Sequence, residues 1–297
     1  MRYLESTVAA LIATAVVAFG LPAYGGDWTE TDVFVDADDA AAKIEAGAAV
    51  IDAREDGQFE RGHIAGAANL QWQQFVDGDT SGALIDDDDR LNELLTNAGI
   101  SADEPVVVYG AWDDGWGEEG RLFWTLEYLG HDDVHLLDGG LASWNRAGQP
   151  LATGEGEASP GGDFHVDRRD EHRQLTDDLQ RRLDNGQSTA VIDTRDRDEF
   201  NGDVKYGEQR GGHIPDAKHL WWHDLLDDDG SLIDADAFDE RVEELGIDTD
   251  DTVVAYCTGG VRSGFVYAVL RARGFEDVRN YDASMWDWTR DENAPVE

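Results

Sequence analysis

The strongest constraint on this chain is that it is written twice. Val50-Ile51-Asp52-Ala53-Arg54 recurs as Val191-Ile192-Asp193-Thr194-Arg195, and Gly62-His63-Ile64-Ala65-Gly66-Ala67 as Gly212-His213-Ile214-Pro215-Asp216-Ala217. Val106-Val107-Val108-Tyr109 recurs as Val253-Val254-Ala255-Tyr256. Leu137-Asp138-Gly139-Gly140-Leu141-Ala142-Ser143-Trp144 has a weaker echo in Tyr281-Asp282-Ala283-Ser284-Met285-Trp286-Asp287-Trp288. Order and approximate spacing are kept, so the chain is two copies of one folding unit. A length of 297 residues gives each copy ordinary domain size and material for its own core.

Each copy alternates strand and helix signals. The short β-branched runs 49–51, 106–109, 190–192 and 252–256 have the length of fully buried parallel strands. Helical stretches are predicted over 38–45, 91–98, 121–129, 176–183, 237–245 and 262–273, with Gly99 and Gly246 just past two of them. Alternating units of this kind predict an α/β fold, each half a parallel sheet flanked by helices on both faces. Gly154, Gly156, Pro160, Gly161 and Gly162 mark residues 151–162 as a linker between domains at 27–150 and 163–297.

Residues 1–26 read as a signal peptide. Arg2 precedes an apolar run over 8–19, too short for a comfortable membrane span, and Ala23-Tyr24-Gly25 offers small residues for cleavage. Export is therefore expected; a buried first helix or a misplaced start in a cytoplasmic protein is the alternative.

The charge balance is extreme: 65 acidic residues against 23 basic, a formal net charge of −42, with Lys43, Lys205 and Lys218 as the lysines. Such a surface repels nucleic acid and anionic headgroups, so neither a nucleic-acid nor a stable membrane partner is expected, and the chain is read as a monomer. An Asp-rich, Lys-poor shell is the pattern of proteins that fold in high salt, where ions screen the self-repulsion. Acidic runs such as 86–89 and 227–229 lack the glycine turn and terminal glutamate of a calcium loop, and no cluster has zinc-ligand spacing. No metal and no cofactor are expected.

The chain holds one cysteine, Cys257, directly after the run ending at Tyr256. A lone cysteine is usually an inert small hydrophobe, but in open α/β sheets chemistry gathers beyond the carboxyl ends of strands. Thr258-Gly259-Gly260-Val261-Arg262-Ser263 follows, and then a helix. Adjacent glycines let the backbone curl so that successive N–H groups face one centre, and the helix start adds its positive end. A thiol held there ionises easily. At the matching place the first half has Gly110, which has no side chain to react.

These residues resemble the rhodanese family of thiosulfate and mercaptopyruvate sulfurtransferases. The Asp-x-Arg pairs, both Gly-His-Ile motifs and the loop from Cys257 to Ser263 carry the likeness, with Tyr128-Leu129-Gly130-His131 through Trp144 similar to the usual non-catalytic first half. The resemblance implies two tandem rhodanese-like domains, of which the second reacts. It implies that Cys257 takes sulfur from a small anionic donor and that a thiol or cyanide acceptor removes it, with ping-pong kinetics. The N–H groups of the loop Thr258, Gly259, Gly260, Val261 and Arg262 would hold the persulfide anion. Arg195 matches a substrate-contact position and Arg262 lies in the loop itself; Arg210 and Lys205 are further candidates for the donor. Arg54 and Arg195 equally fit structural pairs with carboxylates such as Glu60 or Glu199. His63 and His213 recur in both halves and read as structural, the tryptophans as packing with Trp286 a possible cleft wall, and Asp114, Glu118 and Glu119 as solvated.

A phosphatase or arsenate reductase of the same fold is the nearest competitor, and a sulfur-carrier or docking module the next. Those oxyanion enzymes use a longer loop, whereas here four residues separate Cys257 from Arg262, which suits a single sulfur atom. Between donors, the resemblance implies basic residues after the cysteine for thiosulfate and small neutral ones for 3-mercaptopyruvate; Thr258 and Gly259 are neutral, while Arg262 restores a charge in the same ring, and thiosulfate is the expected donor.

Overall fold

The structure is a computed structural model that describes Trp28 and residues 32–78, 81–156 and 161–297. The apolar run and cleavage site expected within 1–26 lie outside the described residues, among which no helix is long and apolar enough to cross a membrane.

The first half contains β1 (Phe34–Val35), α1 (Ala37–Glu45), β2 (Ala49–Asp52), α2 (Asp56–Arg61), β3 (His63–Ile64), β4 (Ala68–Asn69) and α3 (Asp88–Asn97). It continues through β5 (Val106–Tyr109), α4 (Glu118–Tyr128), β6 (Val134–Leu137), α5 (Gly140–Arg146) and β7 (Leu151–Ala152). The second half contains α6 (Thr176–Asp184), β8 (Ala190–Asp193), α7 (Arg197–Phe200), β9 (Lys218–His219) and α8 (Ala235–Glu244). It ends with β10 (Val253–Tyr256), α9 (Arg262–Ala272), β11 (Val278–Tyr281) and α10 (Ser284–Trp288).

Both main sheets are parallel, in the orders β1-β6-β5-β2-β4 and β11-β10-β8-β9. β5 and β10 occupy equivalent interior places, and every residue of both is buried. An unbroken apolar strand needs cover on both faces, which parallel connection through helices supplies. Gly99 and Gly246 have φ of 80° and 66°, the left-handed conformation that ends α3 and α8. α3 starts earlier than its apolar spacing suggests, because the Asp87 carboxylate accepts the Arg90 N–H and caps it.

The linker expected at 151–162 is shorter than its composition implied. Leu151 and Ala152 pair with Ile64 and His63, closing the first half. Residues 162–169 then run along that same half. Gly162 N–H donates to Thr96 O (3.0 Å), Asp167 N–H to Leu129 O (2.9 Å) and Arg169 N–H to Tyr128 O (2.8 Å). Phe164 is buried there, stacked with His131. The second half starts near Arg173, which bridges to Asn280, and not at 163. Backbone bonding set this boundary, and glycine content did not report it.

The halves share their largest core, and each also keeps a smaller apolar cluster of its own. One apolar cluster runs from Ile51 and Val106 through Leu122 and Phe265 to Ile192 and Val253. α4 and α9 lie at its centre, apolar on nearly every side. They cross at a pair of equivalent glycines: a β-carbon on Gly120 would lie 2.2 Å from the Phe265 Cα, and one on Gly264 2.7 Å from the Arg121 Cα. Two reciprocal bonds flank the crossing, from Leu232 N–H to Asp138 Oδ1 (2.9 Å) and from Leu84 N–H to Asp282 Oδ2 (2.8 Å). Gly264→Ala should force backbone from backbone and cost about 1–3 kcal/mol, read as a lowered denaturation midpoint. An unchanged midpoint would show that the crossing can relax.

Candidate active site

Cys257 follows β10 and sits beyond the carboxyl end of that strand, buried. Its own N–H donates to Ser284 Oγ (3.0 Å), and its carbonyl accepts from Met285 N–H (3.2 Å). These bonds tie the thiol to the turn after β11. Gly260 N–H points at the sulfur (3.1 Å), and the Ser263 hydroxyl stands 3.8 Å from it while bonding Asn280 Oδ1 at 2.6 Å. Burial alone would push the thiol up. The Arg262 charge, the N–H groups of Ser263 and Gly259 and the Ser263 hydroxyl outweigh it, so the Cys257 thiol lies below its ordinary range.

The two loop glycines answer different demands. A β-carbon on Gly259 would meet the Trp286 ring at 2.1 Å. Gly260 has φ of 80°, and a β-carbon there would meet Arg121 Nη1 at 2.3 Å and Asp282 O at 2.5 Å. The first glycine makes room for a wall of the site and the second turns the chain.

Above the sulfur opens a cavity of about 200 Å³ lined by Trp72, Trp116, Tyr206, Trp286 and the loop. Trp72 and Trp116 come from the first half, so neither half alone forms the site. Trp286, read from the sequence as packing or a wall, is a wall, fixed by its Nε1–H donating to Tyr206 O (2.8 Å).

Of the predicted residues, Cys257, Thr258, Gly259, Val261 and Arg262 line this cavity, and Gly260 underlies it. Arg262 is not a free anion receptor. Both oxygens of Glu199 take its guanidinium (2.6 and 2.9 Å), and its plane lies against Trp116 and Tyr206, 5.5 Å from each ring centre. Thr258 Oγ1 accepts from Arg262 (2.7 Å) and lies 3.1 and 3.0 Å from oxygens of Glu199 and Glu208.

Arg195 is a correction. It is fully buried and turned inward, with Nε and Nη2 on Asp193 (2.9 and 2.6 Å) and Nη2 also on Gly212 O (2.8 Å). Arg54 makes the same clamp with Asp52 and Gly62 O in the half without a thiol. A device present in both halves holds the Gly-His-Ile turn, and Arg195 does not line the cavity over Cys257. Its partners are Asp52 and Asp193, not Glu60 or Glu199. Arg210 likewise points away from the cavity, to the carbonyls of Trp288, Thr289 and Asp291. Lys205 pairs with Asp196 (2.8 Å). His63 and His213 stack on Phe59 and Phe200 and bond their carbonyls (3.0 Å each), the structural role expected.

In the first half's matching loop, 110–117, the place of the thiol is filled. Glu119 Oε2 lies 2.0 Å from where a β-carbon on Gly110 would stand, so a carboxyl occupies the place of the missing thiol. Asp114 is exposed as expected. Glu118 instead turns back to accept the Trp116 N–H (2.7 Å), and Glu119 Oε2 is sealed without a hydrogen-bond partner. Burial and the neighbouring Glu118 push Glu119 up to about 7. Among the described residues no group of three or more side chains is placed to hold a metal ion.

Sequence reasoning missed Trp72, Trp116, Tyr206, Glu199, Glu208, Asn280 and Ser284 as parts of the site. Trp116 carried a signal, a tryptophan set between glycines in a loop that had lost its nucleophile. The others are joined to Cys257 only through tertiary contacts.

The rhodanese-like domain family matches residues 36–147 and 175–291, and the chain belongs to that family, twice over. A Haloferax volcanii protein provisionally named a thiosulfate sulfurtransferase is 32% identical over 80% of this chain and 84% of its own length. The sulfur carrier protein TtuD of Thermus thermophilus is 32% identical over 80% of this chain and 86% of its own. The thiosulfate sulfurtransferase of Azotobacter vinelandii is 30% identical over 91% of this chain and 99% of its own. The anaerobic ergothioneine biosynthesis enzyme of Chlorobium limicola shares the fold, with TM-score 0.79 at 20% identity over 90% of this chain and 70% of its own.

A carboxyl raised from about 4.5 to about 7 keeps its proton in the native state while the unfolded chain loses it. Stability from Glu119 is thus present at low pH and lost as pH rises across that window. Replacing it with Glu119→Gln should flatten this decline, the variant gaining about 3 kcal/mol on wild type between the two limits. Denaturant melts at a series of pH values would show it; parallel profiles would place the Glu119 charge in water instead.

Proposed function

We propose that this protein is a sulfurtransferase that carries a sulfane sulfur on Cys257, with thiosulfate as donor and a thiol or cyanide as acceptor. One observation carries the reading: the only thiol sits at the floor of a cavity, encircled by N–H groups of its own loop and held toward the anion. The Cys257 thiolate attacks the outer sulfur of thiosulfate. The sulfur–sulfur bond breaks, sulfite leaves with its electron pair, and a persulfide remains on Cys257. The acceptor then attacks the outer sulfur and the thiolate departs. Loop N–H groups that face one sulfur can face a persulfide anion in the same way.

The names of the relatives from Haloferax volcanii and Azotobacter vinelandii support thiosulfate over 3-mercaptopyruvate. Arg195 and Arg210 give no support to donor binding. The part of buried Arg262 that lines the cavity and the loop amides are left to meet the donor's charge between aromatic walls. The phosphatase alternative loses ground because Glu199 takes both Nη groups of Arg262, occupying the guanidinium fork that a tetrahedral oxyanion would need. The sulfur carrier reading shares the persulfide and differs only in the acceptor; the Thermus thermophilus relative bears the name of a sulfur carrier protein.

Salt adaptation, export and a monomeric state are parts of the same proposal. The net charge of −42 supports the first, the 8–19 apolar run the second, and self-repulsion the third. Export is tested by N-terminal sequencing of protein from the culture medium or cell envelope, where an intact Met1 would defeat it. Thiocyanate formation from thiosulfate and cyanide in molar salt tests the chemistry. Cys257→Ser should abolish it, and thiosulfate alone should leave a mass increase of ~32 Da, one sulfur, on the Cys257 peptide. Activity persisting in the serine variant would dismiss Cys257. Activity that is full without salt would dismiss the halophile reading.

A further inference from the structure

Arg121 belongs to α4 of the half without a thiol, yet its guanidinium ends beneath the Cys257 loop. Nη1 donates to Gly260 O (3.2 Å) and Nη2 to Gly82 O (2.6 Å). The side chain is completely buried, Nε has no hydrogen-bond partner, and the guanidinium lies 4.7 Å from the centre of the Trp124 ring.

The other guanidinium groups around the site are matched by carboxylates. Arg262 is held by Glu199, Arg195 by Asp193 and Arg173 by Asp282. Arg121 has only carbonyl oxygens as hydrogen-bond acceptors. Asp282, the carboxylate that faces it, is already taken by Arg173 and by Leu84 N–H. Burial lowers Arg121 to about 10, with Asp282 and Cys257 acting the other way, so it remains a cation at neutral pH.

A buried cation without its own counter-ion is costly. Bridging two carbonyls does not require it, since a neutral amide would serve. Gly260 directs its N–H to Sγ and its carbonyl to Arg121, so one residue links the thiol and the charge. The geometry points to Arg121 as a positioning residue for sulfur transfer: the first half supplies the unmatched positive charge that keeps the sulfur of the second half anionic. This inference rests on Cys257 being the sulfur carrier. The charged groups facing the loop are then Arg262, Glu199 and Glu208 on one side and Arg121, Asp282 and Arg173 beneath.

The test is the pH dependence of Cys257 alkylation by iodoacetamide in the full chain, which reads the thiolate directly and needs no turnover. Arg121→Gln keeps an amide for the carbonyls and removes the charge. Its midpoint should rise by about one unit, a tenfold smaller thiolate fraction below the midpoint. Arg121→Lys keeps the charge and should titrate like wild type. A folded Arg121→Gln with an unmoved midpoint, or Arg121→Lys shifted as far as Arg121→Gln, overturns the inference. If Arg121→Gln does not fold, Arg121→Lys decides alone: an unmoved midpoint supports it, and a rise of about one unit overturns it. The sulfurtransferase reading survives either result, because it falls only if Cys257→Ser still forms thiocyanate.

Discussion

The close approach of α4 and α9 governs the rest of the molecule. Gly120 and Gly264 let two helices meet backbone to backbone, where any side chain would hold them apart. At that distance the inner faces of both sheets share one apolar core. The same contact brings Trp116 and Trp72 over the thiol and Arg121 under it. The catalytic pocket is therefore a property of the joint between the repeats, although the thiol itself belongs to one of them.

The arginines make a second pattern. On a chain with 65 acidic residues, cations in water would be surrounded by carboxylates and screened by salt. Several are placed inside instead, each bound to one acid: Arg54 to Asp52, Arg195 to Asp193, Arg262 to Glu199. Buried pairs of this kind fix geometry more than they add stability, since desolvation offsets most of their attraction. They hold the turns and the loop in register while the surface is given over to acid. The thiol thus sits among buried guanidinium–carboxylate pairs, set apart from the acidic exterior.

Much of this could be read in the sequence, and the reasons differ by feature. The repeats gave the two sheets, because a four-residue β-branched run admits few other placements than a buried parallel strand. The Gly259-Gly260 loop marked its own curl, because only glycine tolerates that backbone. The roles of the arginines were not legible. Arg195 and Arg262 both stand near strand ends, and which of them reaches the thiol depends on which carboxylate each finds after folding. Glu199 lies in α7, far from Arg262 in the chain, and only the fold joins them. The boundary at 163 failed for a related reason: residues 162–169 hold to the first half through backbone bonds that carry no residue signature. Glu118 and Glu119 were read as solvated because acids usually are, and the space left by Gly110 drew one of them in.

That space has a bearing on how the first half could ever change. With the Glu119 oxygen standing 2.0 Å from the position a β-carbon on Gly110 would take, a cysteine placed there by one substitution would have to push that carboxyl aside. Removing Glu119 alone opens an empty hole beside the shared core, and adding the thiol alone drives a carboxyl into it. Each single step therefore carries its own packing cost, and a reactive thiol in the first half needs both changes together. That half keeps a supporting part, with Trp116 of its loop walling the site of the other.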